Sequence, residues 1–600
     1  MQTVPESTSV SAEPDRHDGR GLTALWSRRI APAAREDAAP GVHPLVARVL
    51  GARGLCGAEE TAEFLRPSLT GLHDPSLLPG VDRGAERILR ALRSGERIII
   101  YGDYDVDGVT ATAILWHTLM SLRPGADVRT YIPHRLDEGY GLNPEAIATL
   151  AAEGARVIVT VDCGITACES AAVAADRGVD LIITDHHNAP DCEDSLPRAY
   201  AAVHPRLPGS AYPFGDLCGA GVAYKLAWRL VTLAEGSARV SQRSRELLVS
   251  LLALAALGVI ADVVPLRGEN RVIARFGLGR LKHTPLAGLR ALIDASGLGG
   301  EEIDAERVAF TLAPRLNACG RLGHAREAVR MLTTCSYEEA HAIAEELNRQ
   351  NAARRKIEDE IVEQASELAE AAGMTGPGRR AIVLAHREWH AGVVGIACSR
   401  LVERFHRPVV LMADDGEVCH GSGRSVPGVS LHAALARCAH LLERWGGHDM
   451  AAGLAVRREH LECLQEALVA EVNAVLHEAS LARRISYDCD AQLAELAIEP
   501  VRELERLGPF GMGNPQVRLR LNALAIADQP RAVGKEGKHL SMRVRSGDRS
   551  LKLIAWRWGE RAGELAPGMR IDAIVTPKLS DWGGSTSVEA ELHDLRVHRT

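Results

Sequence analysis

Gly102-Asp103-Tyr104-Asp105-Val106-Asp107-Gly108 puts three carboxylates at alternate positions in seven residues. Carboxylates this close repel one another and hold on to protons unless a cation balances them. Hard oxygen donors of this kind suit Mg2+ or Mn2+. A solvated acidic turn looks the same in isolation, so the reading depends on what else the chain supplies. Three further segments are candidates: Asp162-Cys163-Gly164, Asp185-His186-His187, and Asp262 at the end of Gly258-Val259-Ile260-Ala261. Singly, each has a bland reading: His186-His187 as a surface pair, Asp162 as a helix cap. Jointly they offer carboxylate and imidazole, a donor set for Mn2+ or Mg2+ rather than for thiolate-seeking metals.

The elements around these residues must bring them together. Ile98-Ile99-Ile100 reads as a buried strand running into the acidic loop, and Thr110 to Leu122 as a helix rich in Ala, Ile and Leu. Val128 to Ile132 is a strand, followed by a loop heavy in Gly and charge from Pro133 to Leu142. Val157 to Val161 is a strand ending at Asp162, Ala167 to Arg177 a helix, and Leu181 to Thr184 a strand ending at Asp185. Alternating strands and helices predict a parallel sheet covered on both faces. Parallel strands end on one edge, where ligands of open α/β sheets bind. The apolar run Leu247 to Ile260 is too short to span a membrane. It reads as a buried helix, or helix plus strand, delivering Asp262 to the same edge.

Six hundred residues suggest three or four domains at ~150 residues each. Net charge is −8, which excludes a uniformly basic nucleic-acid coat but not a local basic channel. Twelve cysteines without a CxxC pair, and the lack of an apolar leader, point to reduced thiols in the cytoplasm and no membrane. Residues 1–20, rich in Ser, Glu, Asp and Pro, read as a disordered tail, and 21–78 as a helical N-terminal cap.

Downstream, 336–372 lacks Gly and Pro and reads as one long helix. Its middle, Asn348 to Lys356, is polar all round apart from two alanines, as in helices that bridge domains. Arg349, Arg354, Arg355 and Lys356 are candidates to face nucleic acid; a solvated face is the other reading. A second α/β unit starts at Arg380. It carries two Gly-rich turns, Ser422-Gly423-Arg424-Ser425 and Gly446-Gly447-His448-Asp449-Met450-Ala451-Ala452-Gly453. Glycines let backbone N–H groups approach an anion, and Arg forks onto phosphate; tight loops without a ligand are the alternative. From about Ser486 the pattern becomes short alternating segments: Leu519 to Ala525, Leu540 to Val544, Leu551 to Trp556, Arg570 to Val575 and Ser587 to Leu592. Five strands with Gly-containing turns fit an OB-like barrel. This region is net positive in a net negative chain. Trp556, Trp558 and Trp582 are interleaved with Lys552, Arg557 and Lys578, which suits stacking on single strands; core filling is the other role open to the tryptophans.

Together, Gly-Asp-Tyr-Asp-Val-Asp-Gly at 102–108, Asp162-Cys-Gly, Asp185-His186-His187 and Ala261-Asp262 resemble the four motifs of the DHH phosphoesterases. Tyr101 to Thr112, Pro133 to Leu142 and Pro314-Arg-Leu-Asn-Ala-Cys-Gly-Arg321 are similar to that family's single-strand-specific 5′→3′ DNA exonuclease branch. The resemblance runs from about residue 25 to the C-terminus. Tyr101 stands where the pyrophosphatase branch has a His. The segments at 422–425 and 446–453 resemble motifs of the DHH-associated domain.

The resemblance implies an α/β chain. A parallel-sheet DHH catalytic domain spans 79–335, a long connecting helix 336–372, a second α/β DHH-associated domain 378–480, and an OB-like β-barrel for single-strand binding 486–600. It implies two Mn2+ or Mg2+ ions held by Asp105, Asp107, Asp162, His186 and Asp262, with Asp162 bridging. Asp103 and Asp185 would orient the ligands, and His187 with Arg315 or Arg321 would stabilise phosphate. Arg135, Ser422 and Arg424 would surround a 5′ phosphate. For the barrel the resemblance supports single-strand binding by the module rather than by any named residue; His448, Trp556 and Lys552 are the candidates to touch nucleic acid. The implied setting is DNA repair and recombination, with a single-strand-binding protein and a helicase as partners. Two rivals stay open: a phosphodiesterase of short oligonucleotides or cyclic dinucleotides, and a non-catalytic replication scaffold. The C-terminal module argues against the first, and the intact carboxylates against the second.

Overall fold

Leu25–Arg28 forms β1, followed by α1 (Pro44–Ala52) and α2 (Ala58–Leu65). These early elements belong with the end of the chain. The structure, a computed structural model, describes residues 19–29, 41–134, 138–139, 141–477, 481–582 and 584–598. Residues 1–18 of the expected tail, and Arg135, lie outside them. The chain divides into two units: Pro67–Leu476 with Pro509–Pro515, and Met1–Arg66 with His477–Gly508 and Gln516–Thr600.

The first of these units starts with α3 (Val81–Ser94), whose buried stripe includes Val81, Ala85, Ile88 and Leu92. Then come β2 (Ile98–Gly102), α4 (Val106–Leu122), β3 (Val128–Tyr131), α5 (Pro144–Ala152), β4 (Val157–Val161), α6 (Cys168–Asp176), β5 (Asp180–Thr184) and β6 (Ala201–Val203). The sheet order is β3-β2-β4-β5-β6, and every pairing is parallel. β2 and β4 are buried along their whole length, which is why their sequences are continuous apolar runs.

A helical half follows: α7 (Gly219–Glu235), α8 (Gln242–Ala261), α9 (Gly268–Leu281), α10 (Ala287–Ala295), the single turn α11 (Ala305–Arg307), a π-helical turn at Val308–Leu312, α12 (Ala313–Leu322) and α13 (Arg326–Thr333). α8 is long and apolar enough to cross a membrane by composition alone, yet 61% of its apolar window is buried within the protein. It packs against α4, α7 and α9. Of the two readings, buried helix or helix plus strand, the structure shows the buried helix, and Asp262 arrives from a helix C-terminus rather than from a strand. Leu- and Ala-rich sequence favours the helix throughout.

α14 (Tyr337–Ala371) opens with a capping box between Ser336 and Glu339. Its polar middle is not a solvated bridge. Asn351, Arg354 and Glu358 are buried, and Arg354 donates to both of the others. The helix is covered by α10 and α12 on one stretch and by α15 (Ala391–Phe405) on another, so its polar groups pair with one another. Arg354 thus does not face nucleic acid. Arg349 pairs with Glu346, whereas Arg355 is exposed.

The remaining elements of this unit are β7 (Ile382–His386), β8 (Val409–Asp414), β9 (Val418–Arg424), α16 (Leu431–Arg437), β10 (Arg444–Gly447), β11 (Ala451–Arg457) and α17 (Leu461–Val475). Their sheet runs β10-β11-β9-β8-β7, with only β7 and β8 parallel. Ser422 to Arg424 lie in the central strand β9, not in a turn as expected. Gly423 is needed there because a Cβ would sit 2.5 Å from Leu431.

The other unit contains β12 (Arg484–Tyr487), β13 (Cys489–Ala491), α18 (Ile498–Glu505), β14 (Leu519–Ile526), β15 (Arg531–Val533), β16 (His539–Ser546), β17 (Arg549–Ala555), β18 (Arg570–Trp582) and β19 (Ser585–Val597). β14-β18-β19-β17-β16 pair in order, and β14 also pairs β16, closing a barrel. β1 pairs in parallel with β12, bringing together Ser27 and Ser486, 459 positions apart. Trp26 is fully buried and donates to Asp594 at 2.8 Å, while Arg29 and Arg53 bind the buried Asp488. Up to Arg66, the segment read as an N-terminal cap therefore completes this C-terminal unit. Buried carboxylates require donors, and the N-terminal segment provides those of Thr23, Ala24 and Trp26 to Asp594 and of Arg29 and Arg53 to Asp488.

Candidate metal centre and the cleft beside it

Each acidic segment ends up where local geometry holds it. Asp105 is the N-cap of α4, accepting from the N–H groups of Asp107 and Gly108 at 2.9 and 3.1 Å. Asn317 steadies the same loop by accepting from the Val106 N–H at 3.2 Å. Asp107 accepts from the Gly219 and Ala220 N–H groups at 2.6 and 2.8 Å, so the N-terminus of α7 supports its negative charge. Asp162 follows β4 with φ +66°, a left-handed conformation that Asp and Asn tolerate better than most residues. Asp185 follows β5 and accepts from the N–H groups of Ile165, His186 and His187, and from His187 Nδ1 at 2.8 Å.

Three groups of ligand atoms, each within 4.8 Å of one another, form on this edge: Asp103, Asp105 and Asp162; Asp107, His186 and Asp262; and Asp162, His186 and His187. His186 Nε2 lies 3.1 Å from Asp162 Oδ1, 3.6 Å from Asp262 and 3.8 Å from Asp107. Both His186 Nε2 and Asp162 Oδ1 are buried without a hydrogen-bond partner. Asp103, expected only to orient ligands, sits among the potential donors themselves, because the loop turns all three of its acidic positions towards the sheet edge.

Burial, reinforced by Asp107 and the other carboxylates, pushes Asp162 well above the usual carboxylate range and Asp262 up to about 8. Asp105 is raised for the same reasons. His186 is lowered to about 4, chiefly by burial, so its ring is neutral and offers a lone pair. Burial also opposes charge on Asp185 and His187, but their mutual contact outweighs it. Asp185 is held at about 2 and His187 raised to about 9, a fixed ion pair. A buried acidic cluster with orphaned oxygen and nitrogen atoms, backed by one imidazolium, fits divalent cations.

The sequence did not single out Gly219 and Gly258. A Cβ at Gly219 would meet Asp162 Oδ1 at 2.5 Å, and one at Gly258 would meet Asp107 Oδ1 at 2.4 Å. Their only local signal is glycine inside a helix, where it costs stability and so calls for a reason. Gly258→Ala, which in an ordinary helix gains up to ~1 kcal/mol, is expected here to displace Asp107. Affinity for Mn2+ should fall about tenfold or more, read by calorimetric titration; unchanged affinity overturns the crowding argument.

The structure separates the remaining candidates. Arg315 donates to Asn348 and to the Thr311 carbonyl, and Arg321 to the Gly392 carbonyl at 3.0 Å. These contacts tie α12 to its neighbours, and none of the three is with the acidic residues. Ser422 and Arg424 project from the same face of β9 towards α15, where a Cβ on Gly395 would lie 3.2 and 3.5 Å from their side chains. That face floors a cavity of about 580 Å³ bordered by Ser422, His420, Gly446 and Gly453 and, from the acidic loop, by Tyr104. His448 is exposed in the hairpin between β10 and β11. In the barrel, Trp556 is 49% exposed and packs edge-on against His539, whereas Trp558 is buried. Lys552 pairs with Glu589.

Residues 97–259 match the DHH family N-terminal domain, 378–478 the DHHA1 domain, and 487–594 the RecJ OB domain. The single-stranded-DNA-specific exonuclease RecJ of Bacillus subtilis is 38% identical over 93% of this chain and 68% of its own length. That of Dickeya dadantii is 35% identical over 96% of this chain and 98% of its own. The crystal structure of RecJ in complex with Mn2+ from Thermus thermophilus is 33% identical. It superposes with a TM-score of 0.80 over 96% of this chain and 80% of that one. A Mg2+ complex of the same protein scores 0.74.

Proposed function

The chain belongs to the RecJ family of single-stranded-DNA-specific exonucleases, and we propose that it degrades its substrate from the 5′ end, releasing mononucleotides. It is a metal-dependent exonuclease of single-stranded DNA. The observation that carries the assignment of its site is the convergence of buried carboxylates and the neutral His186 ring on one sheet edge. Asp103, Asp105 and Asp162 would hold one ion, and Asp107, His186 and Asp262 a second. Asp162 Oδ1, in the first set, lies 3.1 Å from His186 Nε2, in the second, which suits a bridging ligand. When bound, Mn2+ or Mg2+ supplies Lewis-acid charge and a water acidified for attack on phosphorus. Asp185 fixes the His187 ring and keeps it cationic, so His187 can balance charge on the phosphate. Ser422 and Arg424, with Arg135, would receive the terminal phosphate. Exposed Trp556 suits the barrel to stacking on single-stranded bases.

A single-strand-binding protein and a helicase are the partners this activity calls for, because one presents single strands and the other creates them. Twelve unbridged cysteines support a reducing, cytoplasmic setting. End-labelled DNA tests the direction. A 5′-labelled single strand should yield labelled mononucleotide from the first turnovers, and a 3′-labelled one a descending ladder. Labelled mononucleotide released first from the 3′ end overturns the proposed direction.

A further inference from the structure

Asp262 caps the end of α8, its N–H returning to the Gly258 carbonyl at 2.9 Å, and the next residue, Val263, has φ +59°. The first residue past a helix often adopts this left-handed conformation, but it is normally Gly, because a branched side chain crowds the backbone there. Val263 is 56% exposed, so core packing of its side chain does not hold it in place. Backbone strain of this kind persists only where the flanking chain is fixed by its surroundings, and it concentrates at functional sites. α8 fixes one flank of Val263.

The other flank, Pro265-Leu266-Arg267, has two supports. One is Asn270, fully buried, which donates to the Pro265 carbonyl at 3.2 Å. The second comes from far along the chain. Pro509–Pro515 is a short loop closed on itself: Gly511 and Asn514 exchange backbone hydrogen bonds of 2.9 and 3.1 Å, and the buried Asn514 side chain donates to the Pro509 carbonyl at 2.8 Å. The Leu266 N–H donates to the Met512 carbonyl at 2.8 Å, and Arg267 Nε to the Gly513 carbonyl at 3.0 Å. A Cβ on Gly511 would sit 2.8 Å from the Leu266 side chain, so the loop is seated directly on this flank. Pro509–Pro515 belongs to the same unit as the acidic edge, although the chain up to Gly508 and from Gln516 onward belongs to the barrel unit.

We propose that the Pro509–Pro515 loop is a positioning element for Asp262, with Asn514 and Arg267 acting through that carboxylate. By fixing Leu266 and Arg267, the loop holds Val263 in its left-handed conformation. That sets the end of α8, from which Asp262 comes within 3.6 Å of His186 and joins the Asp107–His186–Asp262 donor set. Without the loop's hydrogen bonds, Val263 relaxes to negative φ and one flank swings against the other. The end of α8 is the part that yields, since helix ends open more easily than packed middles. This rests on Asp262 as a metal ligand, as proposed above, but not on the substrate or on how its end is read.

The test titrates metal-free, full-length protein with Mn2+ and follows binding of each ion by calorimetry and paramagnetic resonance. Asn514→Ala, which opens the loop, should weaken one of the two ions about tenfold and leave the other unchanged. Arg267→Ala, at an exposed position, should weaken the same ion by a smaller factor and keeps the test decisive if Asn514→Ala folds poorly. Adding Val263→Gly to either variant should restore affinity, because Gly adopts the left-handed conformation without support. Asp262→Asn should weaken that ion as well, and in its presence Asn514→Ala and Arg267→Ala should cost nothing further, as expected of residues that act through one carboxylate. Wild-type Mn2+ affinity in both loop variants overturns the proposal, and so does equal weakening of the two ions. Losses that Val263→Gly does not restore, or that add to the loss in Asp262→Asn, overturn it too, because they mark general support of the fold. If Asp262→Asn itself binds both ions as wild type does, the donor set fails and this proposal fails with it; weakening by Asp262→Asn with no effect of the loop variants overturns the positioning role alone.

Discussion

Asp162→Asn is expected to cut hydrolysis of single-stranded DNA at least about a thousandfold while leaving the metal-free protein folded. The substitution keeps the shape and the tolerance for φ +66° that this position requires, so backbone strain does not enter. What it removes is one negative charge and a strong oxygen donor from the carboxylate that lies in one donor set and 3.1 Å from His186 of the other. Losing about 4 kcal/mol of charge stabilisation at a metal-assisted phosphoryl transfer corresponds to that factor. In the absence of metal the change relieves repulsion, because Asp162 is buried among Asp107, Asp105, Asp103 and Asp262. The melting temperature without metal should therefore hold or rise. The stabilisation that Mn2+ confers on wild type, which reflects binding to the folded state alone, should largely vanish. Turnover within tenfold of wild type in saturating Mn2+ would reject Asp162 as a ligand. A collapsed metal-free melting temperature would make it a structural residue instead.

Arg424→Ala is expected to erase the preference for 5′-phosphorylated over 5′-hydroxyl ends. A terminal phosphate carries more charge than an internal one, and a guanidinium meets it with paired donors. Hydrogen bonds to charged groups contribute about 1.5–3 kcal/mol, so kcat/KM on phosphorylated ends should fall about 10- to 100-fold, with a much smaller change on hydroxyl ends. Arg424 already donates through Nη1 to the Gly423 carbonyl, which fixes the side chain on the face of β9 that Ser422 shares. Pre-orientation of this kind reduces the entropy lost on binding. Equal losses on both ends would mean that Arg424 supports the sheet or the chemistry and that the end is read elsewhere.

Much of this protein was legible in one dimension, for identifiable reasons. Strands such as Ile98–Gly102 and Val157–Val161 are buried on both faces, so they appear as unbroken apolar runs, and each ends where its carboxylate begins. All-parallel pairing then puts Asp103, Asp162 and Asp185 on one edge. The barrel strands were visible because each alternates between core and solvent. Leu519–Ile526, His539–Ser546 and Arg549–Ala555 fall close to the segments read from the sequence.

Tertiary structure decided what depends on a partner distant in the chain. The Leu/Ala-rich run before Asp262 is compatible with a strand or a helix; packing of α8 against α4, α7 and α9 selected the helix. The polar stretch around Arg354 looks like a solvated bridge until α10, α12 and α15 cover the helix and Arg354 turns to Glu358. Asp103 joined a group of potential donors because the loop curls, and Gly219 and Gly258 leave no room for a Cβ because two helices press against carboxylates. No local pattern assigns the N-terminal segment to β12, since the buried Trp26, Asp594 and Asp488 acquire their partners only when distant segments meet. Periodicity in sequence reports how a segment meets solvent and core. It carries no record of which other segment supplies that core, and at this site the donor geometry, the crowding and the charge balance all depend on that.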